Sequence, residues 1–224
     1  MEKSWFKQYP KGVPTTINPD QFTSIVDVLY QTVKKYGSKP AFENMGAQLT
    51  YDKLDQLSTI FAGYLQHVLK LEQGDRFAIM TPNILQFPIA LFGALKAGLV
   101  LVNINPLYTP FELKHQLNDS GAKSILILSN FAHTLEAALP DLKLNHIIIT
   151  DLGDCLAGVK GKLVNFVVKH IKKLVPAFSL PNVIAFKDIL QSNHHPFKPH
   201  FIKNSDIAFL QYTGGTTGRS KGAI

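Results

Sequence analysis

Residues 206–224 read DIAFLQYTGGTTGRSKGAI, an apolar run followed by a turn rich in glycine and threonine. The run from Ile207 to Leu210 predicts a buried strand, because it is short and ends ahead of glycines. Glycines let several backbone N–H groups point at one anion, since no Cβ blocks the approach. Hydroxyls and Lys221 would add donors and positive charge. The stretch therefore predicts a strand that leads into a phosphate-binding loop.

The predicted loop differs from two familiar phosphate loops. A Walker loop needs Gly and Lys side by side, but Arg219 and Ser220 separate Gly218 from Lys221. A Rossmann loop fails because Thr213 stands where its first glycine should be. On composition alone, a flexible polar tail explains the segment equally well. The predicted binding residues are Tyr212, Thr213, Gly214, Gly215, Thr216, Thr217, Gly218, Arg219, Ser220, Lys221, Gly222 and Ala223.

Three motifs, in order, resemble those of the adenylate-forming enzymes, which include acyl-CoA synthetases, luciferases and peptide-synthetase adenylation domains. Residues 212–218, followed by Lys221-Gly222, are similar to the family's phosphate loop. Residues 49–54 (LTYDKL) resemble its first motif, although Lys53 stands where the family usually has Glu. Residues 95–98 (LKAG), leading to 103–109 (NINPLYT), resemble its second motif. The Gly-Gly doublet in the loop resembles the long-chain fatty acid–CoA ligase branch, and the resemblance covers nearly the whole chain.

The resemblance implies a two-step activation of a long-chain fatty acid. ATP would supply AMP for an acyl-adenylate, Mg²⁺ would share the phosphate charge, and CoA would be the co-substrate that receives the acyl group. Thr216, Thr217 and Lys221 are the side chains expected at the β- and γ-phosphates. Catalytic residues are not assigned within this chain. The chain is expected to be the N-terminal part of a longer enzyme, without its C-terminal domain, and to be unable to complete the reaction alone.

Composition restricts the class of protein. With 224 residues, of which 46% are hydrophobic and 17% charged, the chain can bury a sizeable core. One cysteine, Cys155, excludes an internal disulfide and a multi-cysteine metal site. The start of the chain lacks an apolar run of signal-peptide length, so a cytoplasmic location is expected. Adjacent histidines at 194 and 195 are interpreted as solvated loop residues, because no carboxylate or cysteine shares a ligand-like spacing with them.

The charge balance points to anionic partners. The formal net charge is +7 and the sequence pI is about 9.4. Nucleic-acid-binding motifs are absent from the sequence, so nucleotide, CoA or anionic lipid is favoured over nucleic acid. Surplus lysines on a solvated face are an alternative explanation. The rival functions left open are a non-catalytic nucleotide- or lipid-binding module, a different adenylate-forming enzyme and a nucleic-acid-binding protein.

Strands that alternate with helices predict an α/β fold with a largely parallel sheet and helices on both faces. The resemblance implies the N-terminal part of the adenylate-forming fold. We expect an irregular segment over 1–20, an α/β lobe over 21–175, a proline-containing connector over 176–205, and the strand and truncated loop over 206–224. The apolar stretch 87–104 is interpreted as a buried helix ending near Gly98 and a strand, since Lys96 interrupts a membrane span.

Residues Gly161 to Val175 have the pattern of a basic amphipathic helix. Its apolar stripe comprises Leu163, Phe166, Val167, Ile171 and Leu174, and its lysines are Lys160, Lys162, Lys169, Lys172 and Lys173. Two interpretations stay open. The favoured one is a surface helix whose stripe packs into the core. The other is a peripheral contact with the inner face of an anionic membrane.

Overall fold

The computed structural model describes residues 3–192, 195–213 and 220–224. The helices are α1 (Ile25–Tyr36), α2 (Tyr51–His67), α3 (Gln86–Lys96), α4 (Pro110–Ser120), α5 (Ala132–Ala138), α6 (Gly158–Phe166) and α7 (Phe186–Gln191). The strands are β1 (Pro40–Asn44), β2 (Ala47–Thr50), β3 (Arg76–Met80), β4 (Val100–Asn103), β5 (Ser124–Leu128), β6 (His146–Thr150), β7 (Val183–Ala185), β8 (Phe209–Thr213) and β9 (Lys221–Ala223).

Seven strands form the main sheet, in the order β7-β6-β5-β3-β4-β8-β9. Every neighbouring pair from β7 to β8 is parallel, and β9 alone runs antiparallel, against β8. Strands β1 and β2 form a separate antiparallel hairpin. The chain adds β4 on one side of β3 and then crosses to place β5 on the other side. The predicted α/β class with a largely parallel sheet is confirmed.

Alternate residues of β3 serve the two faces of the sheet. Phe77 and Ile79 join a core with α1, α2, α3 and α7, whereas Ala78 and Met80 join a second core with α4 and α5. Successive strand side chains point to opposite faces, so a strand that is apolar throughout must be covered on both. β3, β4 and β5 are buried nearly end to end for this reason.

Local signals place the helix starts. Thr50 caps α2, its hydroxyl accepting a hydrogen bond from the Lys53 N–H at 3.2 Å. Thr109 and Glu112 form a capping box around Pro110 at the start of α4. Pro88 lies in the first turn of α3, where the ring is tolerated, so it does not break the helix. In the described part of the chain, no helix is long and apolar enough to span a membrane.

The segment 176–205 carries more structure than a connector. It includes β7, which pairs with β6 at the edge of the sheet, and α7. The Phe186 side chain is fully buried, with its ring centroid 5.1 Å from that of Phe61 in an edge-to-face arrangement. The predicted strand near Ile207 is also shifted. β8 begins at Phe209 and Ile207 is exposed, because the parallel pairing with β4 starts at Phe209.

The favoured interpretation of the 161–175 segment is wrong. Helix α6 begins at Gly158, a π-helical turn follows over Val167–Ile171, and the helix ends there. The exposed stripe residues are Leu163, Phe166, Ile171 and Leu174, each more than half exposed.

The attachment of α6 explains this exposure. Within α6, all of which is described, Gly161 is the one buried residue. A Cβ at Gly161 would lie 2.4 Å from the Gly153 carbonyl oxygen, so the backbones approach too closely for any side chain. Asn165 adds a bond from the Gly153 N–H to its Oδ1 at 2.6 Å. Helix α6 therefore contacts the rest of the protein through Gly161 and Asn165, and its apolar stripe stays exposed to solvent.

Candidate phosphate-binding site

Strands β8 and β9 carry the two ends of the predicted phosphate loop. Residues Gly214 to Arg219 lie outside the described residues. The structure places the other six predicted binding residues, which are Tyr212, Thr213, Ser220, Lys221, Gly222 and Ala223. After the loop, Lys221–Ala223 forms β9, which pairs antiparallel with β8.

The register of this pairing brings the loop ends together. Tyr212 lies opposite Gly222, and Thr213 lies opposite Lys221. Thr213 and Lys221 are both exposed. β8 is parallel to β4, so this end of the hairpin lies at the carboxyl edge of the parallel sheet. In open α/β sheets that edge is where ligands bind.

The Tyr212 side chain points away from solvent toward α4. Its hydroxyl donates a hydrogen bond to Asp119 Oδ2 at 2.5 Å, and the residue is buried. Burial, followed by the hydrogen bond and the negative charge of Asp119, raises the pKa of Tyr212 well above its ordinary value. The phenol therefore stays neutral at physiological pH and ties β8 to α4.

Gly222 has a packing role that the sequence does not reveal. A Cβ there would lie 3.1 Å from two carbon atoms of the Tyr212 ring. The ring lies across the glycine on the neighbouring strand, so a larger residue would have to displace it. This contact accounts for a glycine at 222 whether or not its N–H also meets phosphate.

The end of the loop beyond the undescribed residues also contacts α4. The His115 Nε2 atom lies 3.3 Å from the Ser220 carbonyl oxygen. A carbonyl oxygen only accepts, so Nε2 carries the proton in this contact. His115 and Asp119 are four residues apart and share one face of the helix.

The second motif supports this helix. Asn103 ends β4, and its Nδ2 donates to Gln211 Oε1 at 3.2 Å. Gln116 Nε2 donates to the Asn103 carbonyl oxygen at 2.8 Å. Among the described residues, Asn103 Oδ1 and Gln116 Oε1 are buried and find no hydrogen-bond partner. These oxygens are acceptors available to water or to a ligand beside β8.

The first motif lies on the opposite face of the sheet from α4. Thr50 starts α2, and the next turn carries Asp55, which forms an ion pair with Lys96 of the second motif. The three motifs are thus joined through α2, α3 and α4. Sequence reasoning missed Asp55, His115 and Asp119. The four-residue spacing of His115 and Asp119, after a proline at 110 that can begin a helix, was a usable signal. The residues that they contact are distant in the sequence.

Three other features that could carry chemistry are the cysteine, a metal-binding cluster and the adjacent histidines. Burial, with a smaller contribution from Asp154, raises the pKa of the Cys155 thiol to about 12, so it stays protonated and a poor nucleophile. Over the described ranges, no group of three His, Cys, Asp or Glu side chains could hold a metal ion. Of the adjacent histidines, residue 194 is outside the described residues. The ring centroid of His195 lies 5.9 Å from that of Tyr64.

The chain is similar to known proteins over its whole length. The profile of the AMP-binding enzyme family matches residues 29–224. The long-chain-fatty-acid–CoA ligase of Escherichia coli O157:H7 is 54% identical over 228 residues, which cover 100% of this chain and 40% of that protein. The chain therefore spans about 40% of the length of the curated relatives it matches.

Two solved structures show the same fold. One is a long-chain-fatty-acid–CoA ligase from Archaeoglobus fulgidus, with a TM-score of 0.69 and 20% identity over 96% of this chain and 38% of that chain. The other is an anthranilate–CoA ligase in complex with anthranoyl-AMP, with a TM-score of 0.71 and 20% identity over 94% of this chain and 35% of that chain. At this identity the similarity concerns the fold.

Proposed function

This chain belongs to the AMP-binding enzyme family, and on that premise we propose that the protein activates a long-chain fatty acid with ATP and transfers it to CoA. The fatty-acid carboxylate attacks the α-phosphorus of ATP, which forms the acyl-adenylate and releases pyrophosphate. The CoA thiol then attacks the acyl carbonyl and loses its proton, and AMP leaves as the thioester forms. The identity to ligases named for this substrate supports the acyl class.

The first step brings two anions together, so electrostatic stabilisation and positioning are its main requirements. In the proposal, Lys221 and the hydroxyls of Thr216 and Thr217 bind the β- and γ-phosphates, and the loop glycines present their N–H groups. The observation that supports this most directly is the pairing of exposed Thr213 with exposed Lys221 at the carboxyl edge of the sheet. A cation and a hydroxyl are thereby held together at the two ends of the loop.

Mg²⁺ would enter the proposed site together with the nucleotide. Mg²⁺ usually keeps several waters and binds through one or two carboxylates together with substrate phosphates. Phosphate oxygens of the bound nucleotide would therefore supply most of its protein-site ligands other than water. When bound, it would neutralise charge that develops on the leaving pyrophosphate.

ATP–pyrophosphate exchange in the longest natural form of the protein tests the proposal. Exchange should require a long-chain fatty acid and should be lost in Lys221→Ala. Lys34→Ala, which removes an exposed lysine of α1, is the matched control. Intact exchange in Lys221→Ala would contradict the assigned role. ATP binding without any exchange in the wild type would favour the non-catalytic module.

We also propose a peripheral membrane contact through α6 and the turn after it. The basic apolar surface consists of Val159, Leu163, Phe166, Ile171 and Leu174 with Lys162, Lys169, Lys172 and Lys173. These apolar side chains are exposed beside the lysines. A long-chain fatty acid partitions into membranes, and a basic apolar surface suits anionic lipid. Lys160 is excluded because its ammonium group binds the Met45 carbonyl oxygen.

Vesicle sedimentation tests this contact. Binding to phosphatidylglycerol-containing vesicles should exceed binding to phosphatidylcholine vesicles. It should fall when Lys169, Lys172 and Lys173 are changed to Glu. A triple change of Lys11, Lys34 and Lys35 to Glu alters the net charge equally at a different place. Equal losses in the two variants would mean that bulk charge, and not this surface, drives binding.

A further inference from the structure

Helix α4 contacts both ends of the predicted phosphate loop. Before the loop, Asp119 Oδ2 accepts the Tyr212 hydroxyl proton at 2.5 Å. After the undescribed residues, the His115 Nε2 atom lies 3.3 Å from the Ser220 carbonyl oxygen. The two helix residues are one turn apart, and their partners lie on either side of 214–219. A single helix face therefore reaches both ends of the segment.

Contacts at both ends and along one side fix the position of α4. The capping box holds its first turn, with the Thr109 N–H donating to Glu112 Oε2 at 2.8 Å. Leu113 and Leu117 are buried in the core beneath the sheet. At the other end, Gly121 adopts the left-handed conformation that terminates the helix, with φ of 65°. A short helix held at both ends and along one side makes a rigid support.

The two contacts differ in chemistry and complement each other. The Asp119 carboxylate can only accept, and a phenol donor to a carboxylate forms a strong, short hydrogen bond. The His115 ring donates from Nε2 to the Ser220 carbonyl oxygen. This contact holds the main chain at residue 220 and does not depend on the side chain there. Tyr212 also lies across Gly222, which connects the two ends directly.

We propose that Asp119 and His115 are positioning residues of the phosphate loop, holding its two ends so that Thr213 and Lys221 meet the phosphates in one geometry. The proposal rests on the phosphate-binding function proposed above. A loop whose ends are fixed before binding loses less conformational freedom when the nucleotide arrives. If the two ends shift, Thr213 and Lys221 meet the phosphate oxygens in a poorer geometry, and ATP binds more weakly. The expected signature is a higher KM for ATP with an unchanged KM for the fatty acid.

The first test measures the loop ends without any nucleotide. Amide hydrogen–deuterium exchange is followed in the 224-residue chain for peptides covering 209–224 and, as an internal reference, β3. Asp119→Ala and His115→Ala should accelerate exchange in 209–224 by about tenfold or more, since each loses a contact that limits local opening. His115→Gln, whose amide can donate as the imidazole does, should restore slow exchange. Asn118→Ala, on the exposed side of α4, is the control.

The second test measures ATP–pyrophosphate exchange in the longest natural form. Asp119→Ala and His115→Ala should raise the KM for ATP by about tenfold, a typical effect of losing one hydrogen bond. Equal acceleration of hydrogen exchange in β3 would overturn the proposal, because α4 would then stabilise the whole lobe. An unchanged KM for ATP would also overturn it. If Lys221→Ala abolishes exchange in that case, the phosphate-loop function survives and only the positioning role fails.

Discussion

The Lys96 Nζ atom lies 2.6 Å from Asp55 Oδ1, and the Lys96 side chain is completely buried between α2 and α3. The Lys96 Nζ atom also lies within 2.9 Å of the Asp55 carbonyl oxygen, Ser58 Oγ and Thr59 Oγ1, so its three N–H groups are shared among four acceptors. Burial lowers the pKa of Lys96, and the hydrogen bond and charge of Asp55 oppose that shift. Lys96, which interrupts the longest apolar stretch of the sequence, thus links α3 to α2 through hydrogen bonds and an ion pair.

We predict that Asp55→Ala destabilises the chain more than Lys96→Met. The first change leaves a buried ammonium without its counter-charge, which costs about 3 kcal/mol in comparable pairs. The second leaves a carboxylate that is 32% exposed and can be hydrated. Urea unfolding of the 224-residue chain measures the difference.

A surface pair is the control for this comparison. Lys114 and Asp141 form an ion pair at 2.6 Å with side chains that are 37% and 78% exposed. Lys114→Met should change the unfolding free energy by less than about 1 kcal/mol. Equal losses in Asp55→Ala and Lys96→Met would show that the buried charge is not what determines stability here.

The stability contributed by Tyr212 should depend on pH. Its pKa is raised in the folded chain above the ordinary value of 10.0, so the folded state keeps the phenol proton that the unfolded state loses. The unfolded state then binds fewer protons, and stability falls as pH rises above 10.0. The difference in unfolding free energy between wild type and Tyr212→Phe should be constant from about pH 7 to pH 9 and shrink at higher pH. A difference that grows above pH 10 would refute the assigned environment.

A larger residue in place of Gly93 should destabilise the chain, because α2 and α3 pack closely at this position. A Cβ at this position would lie 2.7 Å from Phe61 Cδ1 and 3.0 Å from the Ser58 carbonyl oxygen. We expect Gly93→Ala to destabilise the chain by about 1–3 kcal/mol despite the better helix propensity of alanine. The loss should be smaller in a Phe61→Leu background, since the clashing ring is gone. Thermal or urea unfolding of the wild type, the two single variants and the double variant completes a double-mutant cycle. Strictly additive losses would argue against the clash.

Truncation of two phenylalanines should change stability by very different amounts. Phe186→Ala removes a fully buried ring and should cost about 3–5 kcal/mol. Phe166→Ala removes a ring that is 55% exposed and should change stability by less than about 0.5 kcal/mol. The same unfolding experiment measures both. A large loss at Phe166 would restore the interpretation of α6 as a core-packed helix.

Elements with a strong local pattern were predicted with their correct ends. The sequence predicts strands over 76–80, 124–128 and 146–150, because each is an apolar run bounded by turn residues. β3, β5 and β6 begin and end at these residues. Thr50 and Pro110 mark helix starts through capping chemistry that needs only near neighbours. Strands β7 and β9 were missed. Each has three residues and exists because a neighbouring strand offers it a hydrogen-bonded edge.

The amino-acid sequence by itself determined the α/β class, the parallel sheet and the positions of the three motifs, since periodicity, turn residues and motif spacing are local properties. The tertiary structure alone decided which amphipathic stripe is buried, because α6 attaches through Gly161 and not through its apolar residues. It also decided which polar groups meet. Asp119 and Tyr212 are 93 residues apart in the chain, and Asp55 and Lys96 are 41 apart. Such contacts depend on how the helices pack on the sheet, and no local sequence pattern shows which distant residues will meet.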